Sequence, residues 1–152
     1  MFSIEILFPV FLFSSTINLA FGQSIKYETC GNKSNDPLSV NITGCQDSTL
    51  CTINRSKPVH FSLNYVSPID SPELRLNIWA HFFRFWIPIK NEPFRVCGQY
   101  GVECPIVKGR EYLYNMTVNA PWFPQVRTKI RFMLSSPEKN PIVCAIIKIR
   151  IV

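Results

Sequence analysis

The chain has 152 residues, of which 47% are hydrophobic and 17% charged, and its formal net charge is +6 at pH 7. Such a balance suits acidic membranes or anionic ligands, yet the lysines and arginines stand singly and form no nucleic-acid-binding run. A solvated surface is therefore the default reading, and no nucleic-acid partner is expected. No internal repeat, low-complexity stretch or linker divides the chain, which has the length of one ordinary domain.

Residues 1–22, MFSIEILFPVFLFSSTINLAFG, hold an apolar run from Ile6 to Phe13, then small residues, with Ala20 and Gly22 at the −3 and −1 positions of a cleavage after Gly22. This predicts a secretory signal peptide, although the only early charge is Glu5 and a basic n-region is missing. The rival reading, a membrane anchor, needs about 20 spanning residues and the run is far shorter. The expected domain is then residues 23–152, exported to the extracellular space or to a secretory-route compartment such as the lysosome.

All six cysteines, Cys30, Cys45, Cys51, Cys97, Cys104 and Cys144, fall in that domain. An even number in a short exported chain implies disulfides, with many formal pairings. Locality favours joining Cys45 to Cys51 and Cys97 to Cys104, which leaves Cys30 and Cys144 near the domain's ends. Closing so long a loop stabilises a fold by about 4–5 kcal/mol in the chain-entropy model. Zinc is disfavoured, since there is no CxxC pair and neither His60 nor His81 has ligand spacing to a cysteine. Sequons at Asn32, Asn41, Asn54 and Asn115 fit the same exported picture.

Along the domain, apolar residues recur with period two. Val59, Phe61, Leu63 and Tyr65 share one face, and Leu74, Leu76, Ile78, Ala80 and Phe82 another. The phase then slips at Phe82–Phe83, so that Phe83, Phe85, Ile87 and Ile89 continue in the other register, and a bulge or bend is expected there. Tyr112, Tyr114, Met116, Val118 and Ala120 follow, then Val126, Thr128, Ile130, Phe132 and Leu134 opposite Arg127, Lys129 and Arg131. Val143, Ala145, Ile147, Ile149 and Ile151 end the chain. No segment has a useful helical period, and prolines punctuate between strands. The pattern predicts an all-β, immunoglobulin-like two-sheet sandwich.

Catalysis has little to work with. His60 and His81 lie on the polar phases of their strands, and no G-x-S-x-G elbow, phosphate loop or H-E-x-x-H is present. Glu92, Glu103 and Glu111 sit at loop or strand-start positions without a partner at close spacing in the sequence. No catalytic residue, metal or cofactor is expected. Aromatics instead crowd residues 79–94 and 112–123. Most would serve an ordinary core, but bulky residues beside proline-held loops can also prop two sheets apart around an apolar pocket.

The ordered set Y-E-T-C-G at 27–31, V-N-I-T-G-C at 40–45, N-R-S-K-P at 54–58, C-P-I-V-K-G at 104–109, the spaced Tyr112 and Tyr114, and V-C-A-I-I at 143–147 resembles the ML (lipid-recognition) domain family, close to its Niemann-Pick type C2 and group 2 mite-allergen branch. The resemblance implies a β-sandwich with an inter-sheet hydrophobic cavity and no catalytic residues. It also implies the pairs Cys30–Cys144, Cys45–Cys51 and Cys97–Cys104. By position it places the cavity mouth at Ala120 and Phe123 and around Phe85 to Ile89, where F-W-I-P-I departs from the proline-richer family pattern. Candidate walls are Phe85, Trp86, Ile87, Ile89, Tyr114, Met116, Val118, Ala120, Phe123 and Phe132. The expected partner is a sterol, fatty acid or other small lipid, with transient membrane or receptor contact and a monomeric chain. A semiochemical carrier, or a protein presenting lipid to an immune receptor, are the alternatives.

Overall fold

The computed structural model describes residues 24–43, 45, 49–89, 94–119 and 124–152. The expected signal peptide, Glu92, Ala120 and the Trp122–Phe123 pair lie outside these residues. Nine strands are described: β1 (Ser39–Ile42), β2 (Cys51–Ile53), β3 (Val59–Val66), β4 (Arg75–Phe82), β5 (Phe85–Pro88), β6 (Phe94–Arg95), β7 (Glu111–Val118), β8 (Val126–Ser135) and β9 (Pro141–Ile151). The one helical piece among the described residues is a 3-10 turn, Lys33–Asn35.

The strands form two sheets. One is three-stranded, ordered β1-β3-β7; the other is six-stranded, ordered β2-β9-β8-β4-β5, with β6 also pairing β4. All pairings are antiparallel except β2 with β9. The period-two sequence explains the layering, because alternate side chains of one strand point to opposite faces. In β3 the pattern runs buried at Val59, Phe61, Leu63 and Tyr65, with the intervening residues at least partly exposed. In β9, Ile147, Ile149 and Ile151 are buried while Lys148 is exposed. The inward faces of both sheets meet in one core.

The phase slip at Phe82–Phe83 is a chain reversal instead of a bulge. β4 and β5 pair with Phe82 opposite Phe85, leaving Phe83 and Arg84 as a two-residue turn. Short hairpin turns of this kind call for positive φ, and Phe83 adopts φ 54°. Its ring is 97% exposed, so Phe83 does not continue an apolar face. Strands β1, β2 and β6 are too short to announce themselves by periodicity and are defined by their partners.

Three disulfides join Cys30–Cys144, Cys45–Cys51 and Cys97–Cys104. The first ties the N-terminal segment to β9, where Glu28 also exchanges backbone hydrogen bonds with Ile146. The buried Asn35 adds a further tie, its side-chain amide donating to the Pro141 carbonyl at 2.8 Å. These links fasten the N-terminal segment of the domain onto β9 of the larger sheet.

Candidate functional site

The two sheets do not close completely on each other. A cavity of about 350 Å³ lies between them, lined from the larger sheet by Ile53, Leu76, Ile78, Phe94, Ile130, Phe132, Ile147, Ile149 and Ile151. The smaller sheet contributes Ile42, Val59, Phe61, Met116, Thr117 and Val118, and Ile89, Tyr100 and Asn119 complete the lining. Its size falls within the roughly 300–1,000 Å³ usual for small-molecule sites. Strand phase explains the lining: Ile130 and Phe132 on β8, and Ile147, Ile149 and Ile151 on β9, are the inward residues of their strands.

No charged residue lines the space; the polar residues on its lining are Thr117, Asn119 and Tyr100. Such a surface offers apolar burial, at about 25 cal/mol per Å² of ligand area, with little to fix a polar headgroup. Phe132 sits in an aromatic cluster, its ring centroid 4.7 Å from Phe61 and 5.4 Å from Tyr114. Tyr114 is fully buried, tilted against Tyr100 at 5.5 Å, and its hydroxyl lies 3.1 Å from the Met116 sulfur. Burial, reinforced by the neighbouring Tyr100 and Tyr65 phenols, pushes the Tyr114 hydroxyl well above the ordinary phenol range and keeps it neutral. Tyr65, stacked on Tyr112 at 5.7 Å, is likewise shifted upward, mainly by burial, and its hydroxyl has no hydrogen-bond partner.

The structure brings Ile89, Met116, Val118 and Phe132 together on the cavity wall and puts Tyr114 directly behind it. It does not bring Phe85, Trp86 and Ile87 there. Phe85 is 72% exposed and Ile87 48% exposed, because β5 is an edge strand. Trp86 pairs across from His81 on the outer face, 5.0 Å from that imidazole and 4.8 Å from the Arg131 guanidinium. Ala120 and Phe123, the candidate rim residues, lie outside the described residues. Aromatic density does not mark the β-branched and leucine residues of β1, β2, β3, β4, β8 and β9 on the wall, nor Phe61 and Tyr100; Phe94, at the end of an aromatic-rich stretch, joins them there. The signal for most of them is the inward phase of each strand.

His60 is exposed, its Nδ1 2.6 Å from the Thr117 hydroxyl on the outer face of the smaller sheet. Among the described residues no group of three or more His, Cys, Asp or Glu side chains is placed to hold a metal ion. No described helix is long and apolar enough to cross a membrane. The mid-strand sequon residues Asn41 and Asn115 both sit opposite Ser62, on β1 and β7 to either side of β3, on one outer face. At the other two sequons, the Asn32 and Asn54 side-chain oxygens accept from the backbone and hydroxyl of Ser34 and Ser56.

Comparison with known proteins bears directly on this architecture. The mite group 2 allergen Tyr p 2 of Tyrophagus putrescentiae is 29% identical over 134 residues, covering 88% of this chain and 90% of the allergen. The ecdysteroid-regulated 16 kDa protein of Manduca sexta is 24% identical over 144 residues, covering 93% of this chain and 99% of that protein. Among solved structures, a Niemann-Pick type C2 protein from the Japanese carpenter ant superposes with a TM-score of 0.76 at 20% identity, over 84% of this chain and all of that one. Chicken MD-1, solved in complex with lipid IVa, superposes with a TM-score of 0.57 at 17% identity, over 80% of this chain and 85% of its own. The profile of the ML domain matches residues 24–151, and the chain belongs to the ML-domain family.

Proposed function

We propose that this protein binds a lipid, holding one sterol, fatty acid or similarly apolar small molecule between its two sheets, and that it acts as a carrier and not as an enzyme. The observation that carries the reading is the inter-sheet cavity of about 350 Å³, whose lining lacks any ionised group. A carrier needs affinity without covalent chemistry, and burial of each CH₂ contributes about 0.8 kcal/mol. The lipid-bound state of the structural neighbour MD-1 points the same way. Export after removal of residues 1–22, to the extracellular space or the lysosome, fits the absence of any free cysteine. Glycosylation at Asn32, Asn41, Asn54 and Asn115, and a monomeric state, belong to the same proposal.

The test is native mass spectrometry of the purified protein followed by lipid extraction. A sterol retained one to one supports sterol transport, and a fatty acid supports a fatty-acid or semiochemical carrier. A protein that retains nothing and displaces no fluorescent lipid probe overturns the reading. Val118→Trp, which places an indole at a partly exposed wall position, is expected to weaken probe binding at least tenfold while leaving the circular dichroism spectrum unchanged.

A second reading, lipid presentation to a receptor, is favoured by the hairpin tip, where Phe83 and Phe85 are 97% and 72% exposed. Such a surface is what a ligand-bridged protein contact would use. Receptor binding that survives delipidation and Phe83→Ser counts against it.

A further inference from the structure

We propose that the outer face of the six-stranded sheet binds a linear sulfated polysaccharide, at a site separate from the cavity. The alternation that sends Ile130 and Phe132 inward sends Arg127, Lys129 and Arg131 of β8 outward, and Lys148 and Arg150 of β9 join them. Register places Arg127 directly opposite Arg150 and Lys129 directly opposite Lys148. Like charges facing each other across an antiparallel pair are destabilising unless an anion lies between them.

One such anion is present. Glu28 reaches Lys129 at 2.9 Å and Lys148 at 3.3 Å, neutralising part of the lysine pair. Among the described residues no carboxylate lies within ion-pair distance of Arg127, Arg131 or Arg150. Arg131 is held differently, its guanidinium 4.2 Å from the Trp79 ring and 4.8 Å from the Trp86 ring. Stacking between two indoles fixes the cation on the sheet without discharging it.

The geometry suits an extended polyanion. Alternate residues along a strand stand about 6.8 Å apart, so Arg127 to Arg131 spans about 14 Å. Facing residues on the neighbouring strand are about 5 Å away. The result is a narrow, flat, two-strand track of cations, with guanidinium groups suited to bidentate contact with an oxyanion. A bilayer fits this face less well, because the exposed large apolar residues Phe85 and Ile87 pair with Phe82 and Ala80, on the opposite phase. Single-stranded nucleic acid would use open aromatic faces for base stacking, whereas both indoles here stack with Arg131. The two mid-strand sequons lie on the other sheet, so glycans there would leave this face uncovered.

The test compares elution of the full protein from heparin-agarose and from a sulfonate cation exchanger. Arg127→Gln/Arg150→Gln is expected to elute from heparin at clearly lower salt than the parent, with a shift at least twice that on the sulfonate resin. Lys108→Gln/Arg110→Gln removes the same charge from an exposed loop and is expected to shift both resins equally and little. Glu28→Gln, which frees both lysines, is expected to elute later from heparin. Equal heparin shifts for the two double variants overturn the proposal, since net charge alone would then account for retention. The proposal also fails if Arg127→Gln/Arg150→Gln keeps its heparin retention but loses binding to phosphatidylserine vesicles or to a single-stranded oligonucleotide. A single cooperative thermal transition in each variant, unchanged for the two double variants, certifies that the fold is intact.

Discussion

Phe132→Ala separates a cavity wall from an ordinary core position. Phe132 is 3% exposed and its ring touches Phe61 and Tyr114, so truncation removes a phenyl group from near the centre of the domain. In a fully packed interior Phe→Ala costs about 3–5 kcal/mol, including the void left behind. One side of this ring already borders the cavity and has fewer partner atoms to lose. The expected loss is therefore at the low end, about 3 kcal/mol, still a large part of the roughly 5–15 kcal/mol available to a small domain. Urea unfolding of delipidated parent and variant measures it. Repeating the titration with a fluorescent fatty acid at 100 times its Kd should restore about 2.7 kcal/mol to any form that still binds. A loss above about 5 kcal/mol in the delipidated protein would mean that the ring is packed on every side and that the cavity does not exist in solution. No stabilisation of the parent by any lipid probe would refute the functional half of the reasoning.

Tyr65→Phe removes a buried hydroxyl that has no hydrogen-bond partner, and it should leave stability unchanged or raise it by up to about 1 kcal/mol in urea unfolding. Asn35→Ala deprives the Pro141 carbonyl of its side-chain donor and should cost about 1–2 kcal/mol by the same measurement. Glu28→Gln tests the lysine clamp through pH. The hydrogen bond from Lys129, with a further one from Lys148, holds the Glu28 carboxyl below its usual range against a weaker desolvation effect. A depressed folded-state pKa contributes stability above the unfolded carboxylate pKa and loses it as pH falls through the folded value. The parent should therefore exceed the variant in melting temperature at neutral pH by a small margin, since a half-exposed pair contributes at most about 1 kcal/mol. The two should converge well below the usual carboxylate range, and an undiminished difference in acid would show that the side chain acts through packing.

Period two in VHFSLNYV, in Tyr112–Val118, in Val126–Leu134 and in Val143–Ile151 marks β3, β7, β8 and β9 with the correct inward phase, because burial on one face leaves its pattern in the chain itself. The pairs Cys45–Cys51 and Cys97–Cys104 are equally legible, because each brackets a short loop. Three-dimensional pairing decided what pattern could not. The run WAHFFRFWIPI looks like one long greasy strand, yet a turn at Phe83–Arg84 folds it back on itself, and β5 becomes an edge with no sheet packed over it. Its aromatic density therefore ends on the surface or on the outer face around Arg131, and not in the cavity. Hydrophobicity marks a residue that prefers to leave water but carries no information about which neighbour will cover it. The cavity wall, drawn from eight strands, and the facing cations of β8 and β9 exist only once register has set those strands side by side.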